Sequence, residues 1–219
     1  GFGDLINGNA GEADSIFWWE NPGDTEQWKR HLIAKTGYNQ IHDTAIGNIG
    51  GKPHLVFSNQ GGPGGGRLWT VPVPEDPTVS PWPNLELIGE DLWEPNPHNP
   101  KWNPDGKQSA EGVAIGDIDG DGENEIVCGC HWFKKQADGS WTQHRFTKDY
   151  VTTKILIADV DGDGRNEIVL SEGDAVVYGY PRGCKCAWFK PANGDLTGIW
   201  TEHLIRDDLN DAHTLRAGP

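Results

Sequence analysis

DIDGDGENEIV at residues 117–127 returns almost letter for letter as DVDGDGRNEIV at residues 159–169, offset by 42 residues. A second pattern keeps step with it. Trp18-Trp19-Glu20 leads to Trp28 and His31, Trp132-Phe133-Lys134 to Trp141 and His144, and Trp188-Phe189-Lys190 to Trp200 and His203. Each copy is an aromatic run, a polar glycine-containing turn, and a second run with a Trp-x-x-His core, which is a hairpin signal. Short strands repeating every 40–45 residues or so indicate radial repetition. The sequence therefore predicts an all-β fold, a β-propeller of four-stranded blades. Within one unit, Val113–Ile115 is expected as the inner strand and Glu125–Gly129 as the second. The third lies in Cys130–Lys134 and the fourth in Trp141–Phe146.

Working outward, Ala45-Ile46-Gly47-Asn48-Ile49 matches Ala114-Ile115-Gly116-Asp117-Ile118. The loop after it is shorter, and Gly50, Lys52 and His54 replace the carboxylates, so no cation is expected there. Residues 58–110 hold a glycine run at 61–66 and then Trp82, Trp93 and Trp102 among prolines. Leu68–Val73 and Leu85–Ile88 are candidate strands, and the remainder reads as a long insertion. Asp211–Pro219 looks like a further inner strand. The whole of 1–219 is thus one propeller region with units near 1–33, 34–110, 111–147, 148–206 and a partial one at 207–219. About three full and two partial blades do not close a ring, so remaining blades or another chain are expected partners.

Glycine and proline supply 30 and 15 of the 219 residues, which favours turns over long helices. The net charge is −15, with no basic stripe for a nucleic-acid backbone. Apolar runs are only a few residues long, so no helical membrane span is predicted and the chain is expected to be soluble. Methionine is absent, as in a mature or trimmed product, from which a signal peptide would also be missing. The cysteines form two Cys-x-Cys pairs, Cys128/Cys130 and Cys184/Cys186; a bond between the pairs and four free thiols both remain open. Zinc sites use longer spacers.

The acidic loops carry carboxylates at positions 1, 3, 5 and 9: Asp117, Asp119, Asp121, Glu125, and Asp159, Asp161, Asp163, Glu167. The carbonyls of Glu123 and Arg165 at position 7 add an oxygen, and Gly122 and Gly164 permit the turn. A set of hard oxygens of this size suits Ca2+ better than Mg2+. Position 12 is Cys128 or Leu170, so these are not EF-hands. Two structural calcium sites are expected; the alternative is an exposed acidic turn with no ion.

The Asp-x-Asp-Gly-Asp-Gly-x-x-Glu-Ile-Val pattern resembles the FG-GAP/VCBS-type repeat of integrin-like propellers and of many secreted carbohydrate-active proteins. The Trp-Glu-Asn-Pro-Gly run at 19–23 is similar to a subgroup that includes the propeller part of aldos-2-ulose dehydratases. The resemblance implies a secreted or periplasmic protein acting on a carbohydrate or sugar acid, as a polysaccharide lyase or sugar dehydratase. A non-catalytic glycan-binding or protein-interaction module is the alternative, with Trp82, Trp93 or Trp102 as stacking surfaces.

Six residues before the first loop position of each unit stand His42, Glu111, Thr153 and His213, at the start of the innermost strands. They vary while their surroundings repeat, as a site grafted on a scaffold does. Such a set can move a proton next to a carbonyl or hold an additional divalent metal in the central channel. Tyr180 and Arg182 complete the catalytic candidates, with Lys154, Tyr150 and Tyr178 nearby. His31, His144 and His203 recur unchanged and are expected to be structural, each bonding a neighbouring turn.

Overall fold

Short apolar runs between glycine turns become strands throughout. The computed structural model describes residues 5–7, 13–60, 66–96, 106–174 and 179–216. Trp102, Tyr178, most of the 61–66 glycine run and residues 217–219 lie outside the described residues. Among those described there are sixteen strands in four sheets and no helix, so none is available to cross a membrane. The chain is all-β.

The first sheet holds β1 (Leu5–Asn7), β2 (Ser15–Glu20) and β3 (Lys29–Lys35). The second holds β4 (Ile41–Ile49), β5 (Lys52–Asn59), β6 (Gly66–Pro72), β7 (Glu86–Pro95) and β8 (Lys107–Ser109). The third holds β9 (Val113–Gly116), β10 (Glu125–Cys128), β11 (His131–Lys135) and β12 (Trp141–Arg145). The fourth holds β13 (Thr153–Ala158), β14 (Glu167–Glu172), β15 (Cys184–Lys190) and β16 (Thr201–Leu209). Every sheet is an antiparallel meander in chain order. The second unit differs from expectation. The two candidate strands fall in β6 and β7, but buried Leu92 carries β7 on to Pro95 and β8 adds a fifth strand, both within the stretch expected to be insertion. At the other end, residues 211–216 run without strand pairing.

Three apolar layers separate the sheets. Ile16, Trp18 and Ile33 pack on Leu55, Phe57 and Trp82 between the first and second. Val56, Leu68 and Leu92 meet Ile126, Cys128 and Phe133 between the second and third. Val127, Trp132 and Phe146 meet Ile168, Leu170 and Phe189 between the third and fourth. A sheet that is apolar on both faces has to be sandwiched in this way.

First strands lie beside one another, β4 against β9 and β9 against β13. Small residues permit the approach. A Cβ on Gly47 would sit 2.8 Å from the Ile115 side chain, and one on Gly116 would sit 2.9 Å from Ile157. The loops are pinned as well. Asn124 Nδ2 donates to the Asn48 carbonyl at 2.8 Å, and Asn166 Nδ2 to the Asp117 carbonyl at 2.7 Å. In both, position 8 of one loop holds position 1 of the unit before it.

The recurring histidines have a different task from the one the repeat suggested. Strand register sets Trp18 opposite His31, Trp132 opposite His144 and Trp188 opposite His203. Each pair stacks, with ring centroids 4.5, 4.4 and 3.8 Å apart. The imidazole covers the indole face, so ring stacking is the recurring contact and not a turn hydrogen bond. His31 alone also bonds Glu20, at 2.9 Å. The indole N–H groups reach across to the next sheet's loops, Trp18 to the Pro77 carbonyl and Trp132 to the Leu196 carbonyl.

Candidate functional site

Polar side chains gather at both ends of the first strands. At the ends of β9 and β13 the chain turns into the acidic loops. Asp117 accepts from the N–H groups of Gly120 and Gly122, and Asp159 from those of Gly162 and Gly164. Asp119 and Asp121 accept from Asp121 and Glu123, and the second loop repeats this through Asp161, Asp163 and Arg165. Glu125 and Glu167 turn one oxygen back to the N–H of Ile118 and Val160. The loop backbone thus fixes the positions of its carboxylates through its own N–H groups.

Positions 1, 3 and 9 converge most closely. Oxygens of Asp117, Asp119 and Glu125 lie within 4.8 Å of one another, as do those of Asp159, Asp161 and Glu167. The other oxygen of Glu125, Oε1, is buried without a hydrogen-bond partner. Burial pushes the Glu125 carboxyl up to about 7, against the Ile118 N–H and with Asp119 adding to the rise. Such an orphaned oxygen among carboxylates fits a cation. Position 5 faces a cation that the loop sequence does not contain. Lys134 Nζ contacts Asp119, lies 2.5 Å from Asp121 and is 3.6 Å from Glu125 Oε1. Lys190 repeats the arrangement at 2.5, 2.6 and 3.7 Å from Asp161, Asp163 and Glu167. The recurring Trp-Phe-Lys run was the available signal for these lysines, legible once strand pairing is known. Glu123 and Arg165 enter the loops through their N–H groups.

The other end of the first strands is about 15–20 Å away, the length of four to six strand residues. Here His42 and Glu111 come together, joined by Asp43 and Lys154. His42 Nδ1 lies 3.0 Å from Asp43 Oδ2, and its Nε2 lies 3.6 Å from Glu111 Oε2. Lys154 Nζ reaches the same two oxygens at 3.0 and 3.6 Å. The Gly112 N–H also donates to Asp43, at 2.9 Å. Gly112 has φ +74, and a Cβ there would lie 2.5 Å from the Thr153 carbonyl, so only glycine fits. Glu111 is 2% exposed, and Oε2 has no hydrogen-bond partner. Thr153 anchors it by donating to the Glu111 carbonyl at 2.6 Å.

Four residues from β4, the link before β9 and β13 therefore meet at one point. The hydrogen bond to Asp43 holds His42 above the ordinary histidine range, against burial and with Glu111 assisting. Burial works to raise the Asp43 carboxyl, but His42, Lys154 and the Gly112 N–H outweigh it and hold it well below the usual range. Asp43 had no signal in the repeat, because its equivalents in later units are Gly112 and Lys154.

The remaining candidates go elsewhere. His213 Nε2 lies 2.7 Å from Asp174 and 3.6 Å from Asp211, a separate group beside Gly173. Tyr180 donates its hydroxyl to the Pro95 carbonyl at 2.7 Å. Arg182 grips buried Glu172 with both terminal nitrogens and donates to the carbonyls of Asp149 and Gly183. Tyr150 is buried against Phe189. Of the proposed stacking surfaces, Trp82 is buried, with its N–H on the Pro77 carbonyl, and Lys107 covers the ring of Trp93 at 4.2 Å. Among the cysteines all four are free thiols, and burial pushes those of Cys128 and Cys130 up, which makes them poor nucleophiles.

One buried base has no part in either cluster. His131 is 8% exposed, and burial, helped by Arg145, lowers it to about 4. Unfolding lets it take up a proton anywhere below its free value of about 6.5. Stability is therefore expected to fall as pH drops from about 6.5 towards 4, and His131→Gln to flatten that part of the profile. Thermal melts between pH 7 and 4.5 check this; parallel profiles for both proteins would show that His131 is not the group responsible.

A comparison of the chain with protein-family models and with curated proteins returns no match.

Proposed function

We propose that this chain is an arc of a calcium-stapled β-propeller from a secreted or periplasmic carbohydrate-active protein. Each meander sheet is one blade, and first strands line the axis. In this reading the His42 end is a proton-transfer site for a lyase or dehydratase step on a sugar or uronate. The convergence of His42, Asp43, Glu111 and Lys154 from three successive units carries the reading.

Charge decides between a metal and a proton there. His42 and Lys154 face the two carboxylates of Asp43 and Glu111, so the group is already compensated. Proton transfer is favoured over an additional divalent ion. Asp43 fixes the Nδ1 side of the ring, and Nε2, which faces Glu111 at 3.6 Å without a hydrogen bond, exchanges the proton with substrate. Removal of the proton next to a carbonyl sends its electron pair towards the oxygen, where the Lys154 ammonium steadies the enolate. The enolate electron pair then returns to form the carbon–carbon double bond as the C–O bond on the next carbon breaks, and the imidazolium of His42 gives its proton to the departing hydroxyl or glycosyl oxygen. Because its neighbours hold His42 protonated, action as a base is expected to rise with pH above about 6.5.

The acidic loops lie at the far end of the strands and serve as staples. Asp117, Asp119, Glu125 and their counterparts Asp159, Asp161, Glu167 would hold Ca2+ as the first choice, with Asp121 and Asp163 as further ligands.

The test uses polyuronate oligosaccharides and 2-keto sugars as probes, followed by absorbance of the unsaturated product. His42→Asn is expected to lower turnover about 10²–10⁴-fold with the melting temperature retained. Retention by immobilised glycans without turnover, unchanged by His42→Asn, would favour the binding-module reading. Activity restored by a divalent metal and lost with Glu111→Gln would return the channel metal to the account.

A further inference from the structure

We infer that Lys134 and Lys190 are resident counter-cations of the two acidic loops, and that a divalent cation enters only by displacing the ammonium group. The inference rests on the calcium reading above and adds the control of that site.

The strand pairing supplies the first support. Ile126 faces Phe133 and Ile168 faces Phe189, so the next pairs along are Glu125 with Lys134 and Glu167 with Lys190. The position-9 carboxylate and the lysine are cross-strand partners by construction of the hairpin. The second unit provides an internal control. Its loop has no carboxylates, His54 stands at position 9, and the residue opposite it is Pro72. Lysine therefore accompanies both acidic loops, and the second sheet, whose loop has no carboxylates, has proline there.

Position within the loop supplies the second. Each ammonium sits among the oxygens of positions 3, 5 and 9, which a bound ion would need. The orphaned Glu125 Oε1, itself 1% exposed, points into the same space and is satisfied by no N–H. One ammonium leaves four carboxylates undercompensated in each loop, so a divalent ion still gains by entering. An approach route exists: a groove of about 590 Å3 between the second and third sheets is lined by His54, Asp121, Glu125 and Lys134. Lys134 and Lys190 are only a quarter to a third exposed, yet their long stems can swing the charge out to water. The lysine keeps the apo loop from opening by self-repulsion, and it weakens calcium binding by the cost of its own displacement.

Calorimetric titration of the full chain with CaCl2, at fixed ionic strength, compares the wild type with Lys134→Met/Lys190→Met. The double variant is expected to bind two ions with affinity raised about tenfold or more. With chelator present its melting temperature is expected to fall below that of the wild type, and with saturating calcium to exceed it. Lys134→Gln/Lys190→Gln, which keeps a polar stem, should follow the same pattern. Equal affinity in both proteins would overturn the displacement while leaving the calcium sites standing. Binding by neither protein, with the chelator melts still separated, would make the lysines permanent substitutes and refute displacement together with the calcium reading. Unchanged melts in chelator would remove the counter-cation role altogether.

Discussion

Trp132→Ala is expected to destabilise the chain by about 3–5 kcal/mol, the range for truncating a large buried aromatic. Trp132 is 2% exposed, stacks on His144 and sends its N–H to the Leu196 carbonyl of the following sheet. Its removal empties part of the layer between the third and fourth sheets and strips the indole from His144. Trp188 is the equivalent residue one unit later, and it supplies the control. It stacks on His203 as closely, but its face of the fourth sheet has no neighbour among the described residues, and Ile205 beside it is 53% exposed. The counterpart of Ile205 in the first sheet, Ile33, is fully buried. Trp188→Ala is accordingly expected to cost about 1 kcal/mol, reflecting the smaller area withdrawn from water. Urea unfolding of the two variants measures the difference. Equal losses would mean that the stack with histidine, and not the contact between sheets, is what these tryptophans contribute.

Glu172→Ala is expected to cost a similar 3–5 kcal/mol, for a different reason. Glu172 is fully buried and accepts from the Val151 and Lys185 N–H groups as well as from both nitrogens of Arg182. Truncation leaves two N–H groups and a guanidinium without the buried carboxylate they share. Arg182 is thus engaged in holding the Asp149–Val151 segment to the start of β15. Arg182→Lys should lose part of the same stability through its missing second contact. A variant that unfolds at the wild-type urea midpoint would show that Glu172 is solvated in solution, and would free Arg182 for a role towards substrate.

The repeated elements were legible because repetition itself carries the signal. The 117–127 and 159–169 loops, the hairpins around Trp132 and Trp188 and the first strands at 113 and 153 all fall where spacing places them. The second unit was less legible. Its carboxylates are gone and its strands are longer, so β8 and the part of β7 beyond Ile88 were hidden among prolines and tryptophans whose burial depends on neighbours far along the chain. The Trp–His stacks depend on hairpin register, which turn geometry sets and composition does not reveal. Half of the His42 cluster was visible as variable positions at a constant offset. Lys154 was legible only as a neighbour in the same loops, and Asp43 was not legible, because its role comes from the lateral approach of the neighbouring units. His213, Tyr180 and Arg182 share the same end by sequence reckoning, but each is drawn aside by a partner outside the repeat: Asp174, the Pro95 carbonyl and Glu172.

The most direct measurement is an X-ray structure from crystals grown in millimolar calcium, with anomalous scattering to identify each ion. Four sheets are expected around a common axis, with a calcium ion in each acidic loop held by Asp117, Asp119 and Glu125 and by Asp159, Asp161 and Glu167. Lys134 and Lys190 should then point to solvent, and the His42 group should carry no anomalous signal. Ordered loops without a calcium signal, the lysines still seated on Asp119, Asp121, Asp161 and Asp163, would contradict this expectation.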